Sequence, residues 1–317
     1  MYRIGIDLGG TNVACGVVDE NFNIVGRSNL KTNKNGTASE IIDDMAKAAA
    51  LCVNAAGLKM QDIAFCGIGI PGWVEKDKGY IVETTNLDLS EVNICDIMQE
   101  KIGVKCGVEN DANAAAYGEF IAGAGKGTKD FIAITLGTGV GSGIIIDRKI
   151  QTGVNSSAGE FGHTVIKFDG EPCPCGRRGC YEQYASVTAL IRQTKAAMKN
   201  APDSIMWAEC DNDIEKVSGR TSFDAMRKGD AAAKQVVDQY IEYIVIGLVD
   251  AINIFQPDVI CIGGGISKEG KYLIDPISKG VIKYRFSGNC DKQTKIVAAL
   301  LGNDAGIIGA AYSDGIL

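Results

Sequence analysis

Several residue types and patterns are scarce or missing in this chain, and each shortage removes a class of protein. A single histidine serves all 317 residues. No apolar run reaches membrane-spanning length, and the opening MYRIGIDLGG alternates like a strand instead of forming a basic segment ahead of a signal core. A cytosolic protein with no membrane partner is therefore expected. Basic residues number 32 against 39 acidic ones, for a formal charge of −7, which argues against nucleic acid as a partner. Small anions are not excluded, because backbone amides and Mg²⁺ hold phosphates without a basic surface. The stretch G-x-x-x-x-G-K-[ST] does not occur, so the P-loop class falls away. Gly67, Gly69 and Gly72 have the G-x-G-x-x-G spacing, but Pro71 and the following WVEKDKGY lack the helical period that a dinucleotide site needs. No low-complexity segment or linker divides the chain, although its length suffices for two domains.

Cysteine, by contrast, is plentiful. Eleven is an odd count, and Cys52, Cys66 and Cys261 stand alone in apolar runs, a pattern of buried reduced thiols rather than of a disulfide framework. One cluster differs. His163, Cys173, Cys175 and Cys180 fall within GEFGHTVIKFDGEPCPCGRRGCYEQ, residues 159–183, where Pro172, Pro174, Gly176 and Gly179 hold the thiols on tight turns. One imidazole and three thiolates complete a tetrahedral Cys₃His zinc set with no open position, so the metal reads as structural. The alternative is three ordinary cysteines and a surface histidine with no metal. Glu160 and Glu182 bracket the group.

Along the chain, residues 2–8 and 13–18 read as a hairpin whose tip is Gly9–Gly10–Thr11. Such a tip can turn several N–H groups and a hydroxyl toward a phosphate, with Asp7 placed to hold Mg²⁺ through water, though most hairpins of this kind are only hairpins. The pattern recurs. Residues 4–19 shift onto 132–147 without a gap, pairing Leu8 with Leu136, Gly9 with Gly137 and Asp19 with Asp147. Two such halves point to a bilobal protein gripping one polyphosphate.

Thr37 and Glu40 form a capping box for a helix over 38–56. Strands are expected over 63–70 and 104–108, then a helix over 112–121. Asp111 thus stands at a strand end ahead of a helix, where ligands of open α/β sheets gather and where an aspartate also serves as N-cap. Ser186 caps a helix to about 199, residues 200–221 read as a polar surface excursion, and a long helix is expected over 230–254. A strand over 259–262 meets a third glycine turn, Gly263–Gly264–Gly265, and 305–313 reads as a packing helix.

Taken together, DLGGTN at 7–12, ENDAN at 109–113, LGTGVGSG at 136–143, GEFGH at 159–163, CPCGRRGCYEQ at 173–183 and IGGGIS at 262–267 resemble the ROK family of sugar kinases. The resemblance spans the chain, and the GEFGH and CxCGxxGCxE pair is its most specific part. It implies an α/β, two-lobed actin-like ATPase (ribonuclease H-like) fold with duplicated domains and a zinc-stabilised loop. The lobes would be 1–113 with a returning 302–317, and 114–301. Asp111 would be the general base, and Asn110 would hold a neighbouring hydroxyl. Glu160, His163 and Glu182 would bind the sugar, with Pro71, Gly72 and Asn86 around it. Asp7, Gly9, Gly10, Thr11 and Asn12, with Gly137, Thr138 and Gly139, would hold the phosphates of ATP with Mg²⁺, and Gly263, Gly264 and Gly265 would lie along the adenosine. A homodimer or dimer of dimers is implied. The expected reaction is ATP-dependent phosphorylation of a hexose 6-hydroxyl, glucose first. N-acetylmannosamine or N-acetylglucosamine are alternatives, as are a non-catalytic sugar sensor and a chaperone-like ATPase. Two departures stand out. The family's NLxW segment reads Asn86–Leu87–Asp88–Leu89, without the tryptophan, and the chain starts directly on its first strand, so a repressor is not expected.

Overall fold

The structure, a computed structural model, describes residues 1–84, 87–286 and 288–315. β1 (Tyr2–Leu8) and β2 (Asn12–Val18) pair antiparallel around the first glycine tip, Leu8 facing Val13. β3 (Ile24–Lys31) extends the hairpin on the sheet edge; most of its residues meet solvent, so it carries no apolar run to betray it. In α1 (Ala38–Ala55) both halves of the Thr37–Glu40 capping box form, and Ile41, Ile42, Met45, Ala48, Ala49, Cys52 and Val53 make one buried face. β4 (Ile63–Ile70) is buried at every position but Ala64, as befits a strand covered on both sides.

The hairpin of β5 (Gly72–Glu75) and β6 (Tyr80–Thr84) follows, then α2 (Ile94–Ile102). β7 (Cys106–Asn110) lies two residues later than expected and runs straight into α3 (Asp111–Ala122). The first sheet has the order β3-β2-β1-β4-β7, with β1, β4 and β7 parallel. Their carboxyl ends, bearing Asp7, Ile70 and Asn110, therefore share one edge.

The second sheet is built from β8 (Phe131–Leu136), β9 (Val140–Ile146) and β10 (Lys149–Ile150), then, after four helices, β11 (Val259–Gly263) and β12 (Lys295–Ala298). Those helices are α4 (Glu182–Ala185), α5 (Val187–Lys199), α6 (Thr221–Arg227) and α7 (Ala231–Phe255). α8 (Lys271–Tyr284) connects β11 to β12, and α9 (Asp304–Ala311) closes the chain. The strand order is β10-β9-β8-β11-β12. Ser186 and Asp230 cap α5 and α7 through their side chains. Residues 200–221 are no mere surface excursion: Met198, Met206, Cys210, Val217, Ala225 and Ala233 bury a small core of their own beneath two short 3₁₀ turns.

Two compact units result: residues 1–133, 143–159 and 300–317, and residues 134–142 and 160–299. The division differs from the expected lobes in keeping α3 and β10 with the first unit. α9 explains the placing of α3. Its backbone lies so close to α3 that a Cβ on Gly309 would fall 1.7 Å from the carbonyl oxygen of Ala114. It lies equally close to the sheet, where a Cβ on Gly5 would fall 1.8 Å from the Ile307 carbonyl oxygen. α1 covers the other face, because Gly26, set against Cys52 of α1, alternates with the position that faces Gly16 and Gly5.

Candidate active site

In the first unit the glycine tip is braced from β3 and the residue after it. Gly9 N–H donates to the Asn12 carbonyl at 2.8 Å, Thr32 N–H donates to the Thr11 carbonyl at 2.9 Å, and the Thr32 hydroxyl donates to the Gly9 carbonyl at 2.7 Å. Thr32 is a support that motif reading did not find. With its carbonyls so engaged, the turn can offer N–H groups and the Thr11 hydroxyl to an anion. A cavity of about 730 Å³ opens beside it, lined by Asp7 and residues 9–12 among others. Burial, and after it the charge of Asp111, raises the Asp7 pKa to about 6. A cation would relieve both effects, so the residues present fit Mg²⁺ near Asp7.

Asn110, not Asp111, is the N-cap of α3, its side-chain oxygen accepting from Ala112 and Asn113 N–H. Asp111 is the first helical residue and also accepts from Ala112 N–H at 2.8 Å. The Asn110 amide donates to the Gly72 carbonyl at 3.0 Å, which joins two of the expected sugar-binding positions. Behind them the buried Glu109 accepts from Asn110 N–H, from the Asn113 amide and from Lys76, each at 3.1 Å. Glu109 and Lys76 thus fix this corner; the motif named Glu109, but nothing in the sequence pointed to Lys76. Pro71 precedes Gly72 at the end of β4. Asn86 lies outside the described residues. Leu89, where the family would carry tryptophan, is wholly buried in the core of this unit.

In the second unit Gly137 N–H donates to the Gly139 carbonyl at 3.0 Å, and the start of α5 holds the tip: Val187 N–H donates to the Gly137 carbonyl at 2.8 Å and the Thr188 hydroxyl to the Thr138 carbonyl at 2.7 Å. Glu182 accepts from Val140 N–H at 3.0 Å, and a Cβ on Gly139 would strike its carboxylate at 2.3 Å. The third turn adjoins the same tip. Gly264 has φ +88° and lies against the Leu136 carbonyl, 2.1 Å from where a Cβ would be, so glycine is required on both counts.

The ligand atoms of His163, Cys173, Cys175 and Cys180 lie within 4.8 Å of one another. His163 Nδ1 is 3.7 Å from Cys173 Sγ, and Cys175 Sγ is 3.6 Å from Cys180 Sγ. Zn–S bonds of about 2.3 Å in a tetrahedron require sulfurs about 3.7 Å apart, so the residues fit zinc. The Arg177 N–H lowers the Cys175 pKa, while burial pushes Cys180 up to about 12. Tyr181 locks the loop from below: wholly buried, it donates to the Ile244 carbonyl of α7 at 3.2 Å and presses on Gly247. Glu182 inherits its position from that plug. Glu160, exposed, opens the short 3₁₀ turn that carries His163.

The sequence model of the ROK family matches residues 3–313. The chain belongs to the ROK family. It is 37% identical to a glucokinase of Streptomyces coelicolor, over 97% of this chain and 96% of that one. A glucokinase of Halalkalibacterium halodurans is 35% identical over 98% and 94% of the two chains. The solved ROK family glucokinase of Streptomyces griseus, in complex with glucose and AMPPNP, is 37% identical, covers 98% of each chain and superposes with a TM-score of 0.82. The fold is the duplicated α/β fold of the actin-like ATPases, as the motifs implied. Among the described residues no helix is long and apolar enough to cross a membrane.

Proposed function

We propose that this ROK protein is an ATP-dependent glucose kinase that places the γ-phosphate on the 6-hydroxyl. The observation that carries the reading is the pair of carboxylates at the shared strand edge, Asp7 at the end of β1 and Asp111 just after β7, close enough for the charge of one to raise the pKa of the other. Phosphoryl transfer needs positioning and charge neutralisation more than covalent catalysis, so one carboxylate for a cation and one for a proton are sufficient. Near-full-length similarity to glucokinases supports glucose as the acceptor.

In this reading Asp7 would hold Mg²⁺, which would supply positive charge beside the ATP phosphates. The two glycine tips, at residues 9–12 and 137–139, orient those phosphates with the N–H groups not already engaged within each turn, and Gly264 and Gly265 lie along the adenosine. Asn110 holds a sugar hydroxyl while Asp111 accepts the proton of the 6-hydroxyl. The freed oxygen bonds to the γ-phosphorus, the bond from phosphorus to the bridging oxygen breaks, and ADP leaves with that electron pair. Glu160, Glu182 and Nε2 of His163 bind the remaining hydroxyls, Nδ1 of His163, which faces Cys173 Sγ, being the atom that would hold zinc. Homodimeric assembly belongs to the same reading and is checked by light scattering.

A coupled ADP-release assay across hexoses and N-acetylhexosamines should give the highest kcat/KM with glucose. Asp111→Asn keeps the shape and removes the proton acceptor. It should lower kcat by about 10²–10⁴-fold, with glucose affinity by calorimetry little changed. A near-normal rate would reduce Asp111 to a residue of the helix start.

A further inference from the structure

Enzymes that transfer phosphoryl groups commonly set a lysine or arginine beside the phosphates to neutralise their charge. Neither glycine tip of this chain contains one: residues 9–12 are Gly-Gly-Thr-Asn and residues 137–139 are Gly-Thr-Gly. The cavity beside the first tip is lined by two carboxylates, Asp7 and Asp304, and a single cationic side chain, Arg27. Arg27 stands on β3 opposite Gly16, which in turn faces Gly5, so the register puts it on the same side of the sheet as α9.

There it meets Asp304 as a fork: Nη1 donates to Oδ1 at 2.6 Å and Nη2 to Oδ2 at 2.7 Å. The same fork geometry suits two oxygens of a phosphate. Water reaches both partners, with 53% of the Arg27 and 38% of the Asp304 side chain exposed, so the pair is held weakly and can exchange. Asp304 lies in the first turn of α9, whose N-terminal end favours a negative charge without help from Arg27. Asp304 also raises the pKa of Arg27, keeping its charge fixed.

Resting on the reading that the first tip holds the phosphates of ATP, we infer that Arg27 is a further catalytic residue: its guanidinium leaves Asp304 for the phosphates of the bound nucleotide. Asp304 keeps the fork turned into the cavity until the nucleotide arrives. The pair is thus a parking position rather than a clamp between β3 and α9.

The test compares two substitutions that break the same ion pair. In the full-length protein, binding of a fluorescent, non-hydrolysable ATP analogue is titrated with Mg²⁺ for Arg27→Met, Arg27→Lys and Asp304→Asn, and the steady-state constants are measured beside it. Arg27→Met should weaken the analogue and raise KM for ATP about tenfold or more, the loss expected for a charged hydrogen bond, while KM for glucose stays. Asp304→Asn should leave the analogue bound as tightly or more tightly. Arg27→Lys, which keeps charge but not the fork, should fall between. If Arg27→Met and Asp304→Asn weaken binding alike, the pair is only a clamp and the inference is overturned; wild-type affinity in Arg27→Met overturns it too. Should Arg27→Met fail to fold, the contrast of Arg27→Lys with Asp304→Asn decides in the same way. A wild-type protein that neither binds the analogue nor releases ADP with glucose overturns the kinase reading itself, and the inference with it.

Discussion

Two influences act against ionisation of Asp7, burial and the charge of Asp111, and together they lift its pKa from 3.8 to about 6. Because the folded value is the higher one, the folded chain holds a proton between about pH 4 and 6 that the unfolded chain has released. Stability from this residue is therefore full at low pH and is lost as pH rises through about 6. Above that, ionised Asp7 destabilises the fold by about 3 kcal/mol, from roughly two pKa units at 1.36 kcal/mol each. Asp7→Asn removes the charge. It should melt several degrees higher than wild type at about pH 8 and with little difference at about pH 4, as read by calorimetric scans, while turnover is lost. A lower melting temperature at the higher pH would mean that other groups already compensate the carboxylate. At this same scale the motifs named Asp7, Asn110, Asp111 and the zinc ligands. They could not name Lys76 or Thr32, nor show what Tyr181 does within its motif, because those roles come from partners far off in the chain: Lys76 reaches Glu109, and Tyr181 reaches Ile244.

At the scale of elements, the long capped helices and the buried strands were legible, whereas α2, α6, α8 and the sheet edges were not. α1, α5 and α7 announce themselves by capping residues and an apolar period, and β4 by an unbroken apolar run. β3 and the β5–β6 hairpin escaped because each strand buries only one residue, Gly26, Val74 or Ile81, too few to write an apolar alternation into the sequence. The zinc loop is the reverse case, short of regular structure yet plain from its residues. Its hydrogen bonds, such as Cys173 N–H to the Arg177 carbonyl at 2.8 Å and Tyr181 N–H to the Thr164 carbonyl at 2.7 Å, shape its turns, and a metal on the four clustered ligand atoms would add to that order. Cys175→Ser, or chelation, should raise KM for glucose about tenfold or more through loss of His163 and Glu182 alignment. Nucleotide binding should fall far less, since the tip at residues 9–12 is braced independently of the loop and only the tip at residues 137–139 borders Glu182. Metal content by mass spectrometry and separate sugar and nucleotide titrations check this; equal loss of both ligands would point to plain destabilisation.

The whole molecule depends on a return of the chain. Residues 300–317 rejoin the first unit, where α9 covers one face of its sheet and packs on α3. The surface that α9 covers includes Gly5, Gly16 and Gly67, whose backbone has no side chain of its own to shield it. A chain stopped after residue 299 should therefore lose the cooperative melting of the first unit and become protease-sensitive there, as judged by circular dichroism and limited proteolysis. A cooperative transition of normal size would show that α9 is dispensable. The sequence by itself determined the duplicated glycine-tipped hairpins, the clustering of His163 with Cys173, Cys175 and Cys180, and the family, because those features are local: they need certain residue types at short spacing. Only the tertiary structure decided that Leu89 is core, that α3 belongs with α9, and that Arg27 meets Asp304. Each of those depends on backbones drawn together by close packing across long stretches of chain, and side-chain spacing along the sequence carries no record of that approach.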